Sequence, residues 1–78
     1  METGELQRRV GANLRAIREA TGMSQEEYAA EVSLVHRTYQ SSVERGLENL
    51  SLQTLERLAD RIGVDPMDLL QPVDQDPS

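Results

Sequence analysis

The sequence contains no cysteine and no lysine, and its only aromatic residues are Tyr28 and Tyr39. Without thiols the chain cannot form disulfides, thiolate metal sites or cysteine nucleophiles. His36 is the single histidine, and because no cysteine or second histidine accompanies it, we expect no metal site and no cofactor. One histidine without lysine or cysteine also leaves no general acid–base pair with a plausible geometry, so the sequence argues against an enzyme.

Long apolar runs are missing as well. The chain opens with the polar stretch METGELQRR, which lacks the apolar segment of a signal peptide. No stretch approaches the roughly 18 apolar residues that a membrane-spanning helix needs. We therefore expect a cytoplasmic protein without a membrane partner. Its 78 residues allow one domain and leave no room for a second domain that would bind a small molecule.

The charge is acidic overall, at −6 with an isoelectric point near 4.6. This sign disfavours nucleic-acid binding, because such proteins normally neutralise phosphates with basic side chains. The distribution is uneven, however. Residues 1–22 hold four arginines against three acidic residues, whereas residues 51–78 hold two arginines against six acidic residues. The acidic residues therefore accumulate towards the C-terminus.

Apolar spacing and cap residues predict five short helices, and no alternating pattern indicates a strand. The first helix covers residues 5–21, where four apolar residues fall on one face: Leu6, Val10, Leu14 and Ile17. Ser24 and Glu27 form a capping box that begins a second helix over residues 25–32. A third helix is predicted over residues 36–45.

The C-terminal part of the chain predicts the remaining two helices. Ser51 caps a fourth helix over residues 52–62, and Asp65 caps a short fifth helix over residues 66–70. The tail that follows has little apolar surface to bury. The predicted limits of the flexible N-terminus, the folded domain and the disordered acidic tail are residues 1–4, 5–70 and 71–78.

Three stretches resemble the XRE-type, or lambda-repressor-like, helix-turn-helix family. They are LRAIREATGMSQEEYA at 14–29, SVERG at 42–46 and SLQTLERLADRIGVD at 51–65. Residues 36–46, HRTYQSSVERG, most resemble the recognition helix of restriction-modification controller proteins. The resemblance implies an all-α, five-helix lambda-repressor-like domain whose second and third helices form the helix-turn-helix. The third helix would then enter the major groove while the second crosses the DNA backbone.

The resemblance also implies which side chains meet DNA. Gln25 matches the family glutamine that begins the second helix and binds a phosphate, although a solvated first-turn residue would look the same. Arg37 can pair with guanine O6 and N7, contact a phosphate or simply be a surface charge. His36 fits a helix cap, a polar residue near DNA or a plain turn residue. The expected DNA contacts are Gln25, His36, Arg37, Thr38, Ser41, Ser42, Arg45 and Asn49.

Two further roles follow from the resemblance. Arg18 and Glu44 occupy positions where the family often places an ion pair between the first and third helices. Such a pair contributes little when exposed, but removing one partner costs several kcal/mol when it is buried. Family dimers often associate through C-terminal helices, and here Met67, Leu69 and Leu70 are the apolar residues expected at a homodimer contact.

The sequence departs from the family pattern in three places. The break over residues 33–35 is one residue longer than usual and lacks glycine, so either Ser33 adopts a positive φ or the turn is rebuilt. Gln40 stands where an Ile or Val is usually buried. Either it finds hydrogen-bond partners, or the helix rotates so that Tyr39 and Val43 carry the packing. The loop after the third helix lacks the basic residues common there.

We predict a transcriptional regulator that binds double-stranded DNA as a homodimer on a palindromic operator, with two third helices about 34 Å apart. The alternative is a helix-turn-helix fold used as a protein-interaction module of antitoxin or anti-repressor type. The acidic total, the loop without basic residues and Gln40 favour this alternative. A double variant, Arg37→Ala with Gln25→Ala, separates the two because it should abolish DNA binding while leaving binding to a protein partner largely intact.

Overall fold

The computed structural model describes residues 4–73. Four α-helices follow one another along the chain: α1 (Glu5–Thr21), α2 (Gln25–Tyr28), α3 (Arg37–Glu44) and α4 (Leu52–Ile62). A π-helical segment, Ala29–Ser33, continues α2, and a 3-10 segment, Pro66–Leu70, follows α4. The described residues contain no strand, so the all-α prediction is confirmed. The predicted fifth helix, however, takes the 3-10 rather than the α form.

The helices begin at residues that supply hydrogen-bond acceptors from their side chains. Ser24 Oγ accepts from the Glu27 backbone N–H at 3.1 Å, and Glu27 Oε1 accepts from the Ser24 backbone N–H at 2.9 Å. Ser51 Oγ accepts from the Thr54 backbone N–H at 3.0 Å. Each bond satisfies a donor that the first helical turn leaves without an intrahelical partner. The sequence therefore fixes where α2 and α4 begin.

The core is formed by one side of each α-helix together with the 3-10 segment. Most of its members are aliphatic, and the fully buried apolar residues are Val10, Leu14, Tyr28, Ala29, Val43, Leu55, Leu58, Ala59 and Leu69. Ile17, Met23, Val32 and Tyr39 are partly buried and pack against this cluster. Because α1 and α3 both contribute buried residues, the position of α3 is set by its contact with α1 as well as by the turn before it.

Leu69 is buried inside this core, with 0% of its surface exposed. The 3-10 segment that carries it is held against α1, since Asn13 Nδ2 donates to the carbonyl oxygens of Leu69 at 3.0 Å and Gln71 at 2.9 Å. The expectation that Leu69 offers its side chain to a second copy is therefore wrong, because packing within the chain already uses it. Met67 is 60% exposed and Leu70 is half-buried.

The ends of the folded region can be compared with the prediction only in part. Residues 1–3 and 74–78 lie outside the described residues, and so does the expectation that they are flexible or disordered. At the C-terminal side, hydrogen bonds to α1 continue to Gln71, one residue past the predicted limit of the domain. Among residues 4–73, no helix has the length and apolar character required to cross a membrane.

The turn before α3 is rebuilt around Leu34. Ser33 stays in the π-helical segment and is fully buried, whereas Leu34 takes the left-handed conformation with φ 58° and ψ 47°. Of the two alternatives from the sequence, the rebuilt turn is therefore the one observed. Arg61 of α4 donates from Nη1 to the carbonyl oxygens of Ser33 at 3.1 Å and Leu34 at 3.3 Å. The turn is thus tied to α4 as well as to the helices it joins.

Two glycines let α1 lie directly against the C-terminal end of α3. A Cβ atom at Gly11 would lie 2.6 Å from the carbonyl oxygen of Glu44, which is too close for any side chain. Gly46 has φ 74°, and a Cβ atom there would lie 3.1 Å from Cα of Arg8. This close approach brings the last residue of α3, Glu44, onto the face of α1 from which Arg18 extends.

Candidate nucleic-acid interface

Glu44 accepts hydrogen bonds from three side chains in the interior behind α3. Arg18 donates from Nε to Oε2 at 2.7 Å and from Nη2 to Oε1 at 3.0 Å. Gln25 Nε2 donates to Oε1 at 3.0 Å, and Gln40 Nε2 donates to Oε2 at 2.7 Å. Only 2% of the Glu44 side chain and 12% of the Arg18 side chain are exposed. We call Arg18, Gln25, Gln40 and Glu44 the Glu44 network; it joins α1, α2 and α3.

The network keeps its two charges ionised. Burial on its own would raise the pKa of the Glu44 carboxyl, but the hydrogen bonds from Arg18, Gln25 and Gln40 outweigh this effect and hold that pKa below its ordinary value. The hydrogen bond to Glu44 in turn raises the pKa of the Arg18 guanidinium. A buried carboxylate is stable only with such partners. The network therefore fixes α3 on α1 through a fully ionised pair.

Gln25 lies at the first position of α2 and is half-buried. Because the Glu44 carboxylate can only accept, the Gln25 amide must turn its NH₂ group towards it. One N–H of that group binds Glu44, and the other remains available. The backbone N–H groups of the first helical turn also lack intrahelical partners. Gln25 thus presents donors, which suits a phosphate oxygen rather than a cation.

Gln40 is buried, with 1% of its surface exposed, and it finds a partner in Glu44. Its Oε1 atom has no hydrogen-bond partner in the described residues, and neither does the buried Oγ of Ser33. A buried acceptor without a partner costs about 1–3 kcal/mol. Of the two alternatives from the sequence, the first is therefore observed: Gln40 stays buried and finds a hydrogen-bond partner. Tyr39 and Val43 pack against the core beside it.

The outward face of α3 carries a continuous set of polar side chains. At 100° per residue, positions 37, 38, 41, 42 and 45 fall within an arc of about 140°, opposite the buried Gln40, Val43 and Glu44. His36, Arg37, Thr38 and Arg45 are exposed, whereas Ser41 and Ser42 are half-buried. The structure thus places the expected α3 contacts on one side of one helix.

Cap contacts fix the start of this face. His36 is the N-cap of α3, and its Nδ1 accepts from the Thr38 backbone N–H at 3.1 Å. Arg37 follows as the first helical residue, and within residues 4–73 it forms no ion pair. Its guanidinium is therefore available to an external partner. No group of three acidic or histidine side chains that could hold a metal ion occurs among the described residues.

Asn49 lies apart from this set, in the loop between α3 and α4. It is exposed, and its Oδ1 accepts from Gln7 Nε2 of α1 at 3.0 Å. Sequence reasoning gave no role to Gln7, Gly11 or Arg61, although each positions a part of the site. No local signal pointed to Arg61, because the carbonyl oxygens that it contacts lie 28 and 27 residues away in the sequence.

Comparison with known proteins identifies relatives along most of the chain. A family model described as a helix-turn-helix domain matches residues 9–71. Control protein C.BamHI of Bacillus amyloliquefaciens is 48% identical over 61 residues, which cover 77% of this chain and 74% of that protein. Control protein C.MunI of a Mycoplasma species is 38% identical over 69 residues, which cover 87% of this chain and 92% of that protein.

A solved structure shows the same fold. The restriction-modification controller protein C.AhdI from Aeromonas hydrophila matches with a TM-score of 0.72 and 35% identity, covering 88% of this chain and 99% of that one. These relatives are controller proteins rather than enzymes. The chain therefore belongs to the helix-turn-helix family of DNA-binding transcription regulators, of XRE type, in the group that contains restriction-modification controller proteins.

Proposed function

We propose that the protein acts in the cytoplasm as a homodimer that reads a palindromic operator, with α3 of each copy in the major groove. The observation that carries this proposal is the two-sided character of α3. One side is locked to α1 and α2 by the Glu44 network, and the other presents Arg37, Thr38, Ser41, Ser42 and Arg45. A rigidly seated helix with an outward polar face is what major-groove reading requires.

The acidic total charge is compatible with this role because of where the charges lie. Glu44 is the only acidic residue in α3, and it is buried and paired with Arg18. The outward face of α3 therefore carries Arg37 and Arg45 without a carboxylate beside them in the same helix. Electrostatic attraction to phosphates depends on the charges that face the duplex more than on the sum over the chain.

Arg37 and Gln25 have separate roles in the proposal. Arg37 reads a guanine, since its planar guanidinium can donate to O6 and N7 together. Gln25 binds a phosphate through the amide N–H that the Glu44 carboxylate leaves available. Because Glu44 contacts Gln25 directly and ends α3, it links the residue that fixes the register on the backbone to the helix that reads bases.

Two observations support a dimer, namely the size of the described part and an apolar groove. The described part measures 34 × 31 × 22 Å and contains one α3, so reading two half-sites about 34 Å apart takes two copies. A groove of about 180 Å³ lies between α1 and α4, beside Leu6, Leu52 and Leu70. Leu6 is 52% and Leu52 is 79% exposed. We assign this groove, with Met67, to the contact between copies.

Binding selection from a random-sequence duplex pool tests the proposal. We expect an enriched palindromic sequence, and an affinity that falls steeply as salt rises. On that sequence Arg37→Ala removes one guanine contact from each copy. We expect binding to weaken at least about 30-fold and the preference to relax at one base pair in each half-site, since each bidentate guanine contact is worth about 1–3 kcal/mol. Arg15→Ala, a change at an exposed arginine of α1, is the matched control.

Other outcomes decide against the proposal. Enrichment of no sequence, or binding that does not respond to salt, would show that α3 does not read DNA. If the Arg37→Ala, Gln25→Ala double variant then still bound a protein partner normally, the interaction-module alternative would take its place.

A further inference from the structure

The cap at the start of α3 selects one of the two tautomers of the neutral His36 ring. The backbone N–H of Thr38 donates to Nδ1 of the His36 ring at 3.1 Å. A ring nitrogen that accepts a hydrogen bond carries no hydrogen, so the neutral ring must carry its hydrogen on Nε2. The backbone of the helix therefore determines which of the two tautomers His36 adopts.

The selected tautomer leaves a donor at the start of the outward face. The two nitrogens of an imidazole ring point in different directions, so Nε2 points away from the helix backbone that Nδ1 contacts. His36 is exposed, as are Arg37 and Thr38 beside it. Within residues 4–73 no side chain or carbonyl group accepts from His36 Nε2. The structure thus holds an oriented N–H group, without a partner, next to the arginine proposed to read a base.

We propose that His36 contacts the DNA duplex by donating from Nε2–H to an acceptor atom. This inference rests on the proposed function. The acceptors at the edge of the major groove are phosphate oxygens and base atoms such as guanine N7 and O6 or thymine O4. A ring held in the Nε2–H form donates and does not accept on that side. It therefore discriminates against the amino groups of adenine and cytosine.

Two methylated forms of histidine separate the cap from the contact. The chain is short enough for chemical synthesis, so His36 can be replaced by its Nε2-methyl or its Nδ1-methyl derivative. The Nε2-methyl form keeps the acceptor for Thr38 and loses the donor. We expect it to unfold at the same urea concentration as the unmodified chain. Each copy of the dimer loses one hydrogen bond, worth about two- to tenfold in affinity. The affinity for the duplex that the unmodified chain enriches should therefore fall about 4- to 100-fold.

The Nδ1-methyl form and one substitution complete the comparison. Nδ1-methylation removes the acceptor for Thr38, so we expect a lower urea midpoint, which the Nε2-methyl form should not show. His36→Ser keeps a cap oxygen and removes the ring without adding bulk. It should bind the duplex as weakly as the Nε2-methyl form, which rules out a steric effect of the methyl group.

The acceptor on DNA can be identified with modified duplexes. A 7-deazapurine removes a base acceptor, and a methylphosphonate removes a phosphate charge and alters its oxygen. The modification that weakens binding of the unmodified chain, but not of the Nε2-methyl form, identifies the atom that His36 contacts. A base acceptor makes His36 a residue that determines specificity, whereas a phosphate makes it a residue that fixes orientation.

Nitrogen NMR of the free protein gives a result that does not depend on DNA. Long-range ¹H–¹⁵N correlation spectra of the neutral ring should show His36 with a protonated Nε2 and a bare Nδ1. The opposite tautomer would overturn the inference, and so would an Nε2-methyl chain that binds as tightly as the unmodified one. Failure of the proposed function gives a different result. The unmodified chain then enriches no duplex, although the spectra still show hydrogen on Nε2. In that case the His36 contact with DNA is overturned together with the proposed function.

Discussion

Arg18 of α1 and Glu44 of α3 meet through two hydrogen bonds, of 2.7 and 3.0 Å, in the interior of the protein. The bidentate geometry fixes the orientation of both side chains. The contact also spans 26 positions of sequence, so it holds two distant helices together. A second arginine–glutamate pair, Arg15 with Glu19, lies on the surface of α1 at a similar distance of 3.0 Å. The two pairs differ in burial, in the number of hydrogen bonds and in sequence separation.

Removal of Arg18 should destabilise the fold strongly. The Arg18→Ala variant leaves Glu44 buried without its cation, so we expect the free energy of unfolding to fall by about 3–5 kcal/mol. A domain of this size has a total of only about 5–10 kcal/mol. Arg15→Ala removes an exposed partner and should cost less than about 1 kcal/mol. Urea denaturation followed by circular dichroism measures both, and equal losses would contradict the buried pair.

Acid should weaken the protein through Glu44. Its pKa in the folded protein lies below the ordinary value of 4.5, so the unfolded chain takes up the proton first as pH falls. The stabilisation is therefore complete above that ordinary pKa and is lost as pH falls through the lower folded-state pKa. Urea midpoints should be level above about pH 5 and decline below about pH 4.5.

A matched carboxylate provides the control for the pH experiment. Hydrogen bonds from Arg9 and Arg8 also lower the pKa of Glu5, but that residue is exposed. Glu5→Gln should therefore leave the acid-induced decline almost unchanged. A ¹³C titration of the Glu44 carboxyl gives the direct test, and an ordinary or raised pKa there would refute the assignment.

The turn before α3 should become more stable when Leu34 is replaced by asparagine. Leu34 has φ 58° and is 57% exposed, so the left-handed backbone costs about 1–2 kcal/mol while burial returns little. Asparagine tolerates this conformation better. We expect Leu34→Asn to raise the free energy of unfolding by about 0.5–1 kcal/mol. Leu47→Asn, at an exposed leucine without a positive φ, should give no increase.

A methyl group at Gly11 should force α1 away from α3. Helix propensity alone would make Gly11→Ala stabilising by about 1 kcal/mol. The added Cβ would however lie 2.6 Å from the Glu44 carbonyl oxygen, and such overpacking typically costs about 1–3 kcal/mol. We expect net destabilisation, with amide chemical-shift changes at Val43 and Glu44. Gly22→Ala, which meets no atom within 4 Å, should leave those two amides unchanged.

Features encoded locally could be predicted from the sequence. The starts of α2 and α4 depend on Ser24, Glu27 and Ser51, whose acceptors serve donors only three residues away. The bounds of α1 and α4 could also be predicted, because apolar periodicity likewise depends on residues only three or four positions apart. Features that depend on distant partners could not be predicted. The π-helical continuation of α2 ends at a turn held by Arg61, 28 residues away from Ser33.

The candidate site shows the same division. Family resemblance brought Arg18 and Glu44 together, but it left Gln40 between alternatives, because its partner is defined only once α3 is folded on α1. Leu69 was misassigned because the resemblance points to an apolar C-terminal segment without distinguishing a core side chain from one at a subunit contact. The atom of His36 that caps α3 was equally beyond sequence reasoning, since the choice between Nδ1 and Nε2 is geometric.

The π-helical segment has a consequence for the length of the connection between α2 and α3. A π turn holds about one residue more than an α turn, because its hydrogen bonds close over five residues instead of four. Residues 29–33 therefore hold one residue more inside the helix than an α turn would, and the reversal of the chain is left to Leu34 alone. The length of the connection is therefore set within residues 29–33 rather than in the turn after them. Deleting a single residue there should restore ordinary α pitch without displacing Arg37.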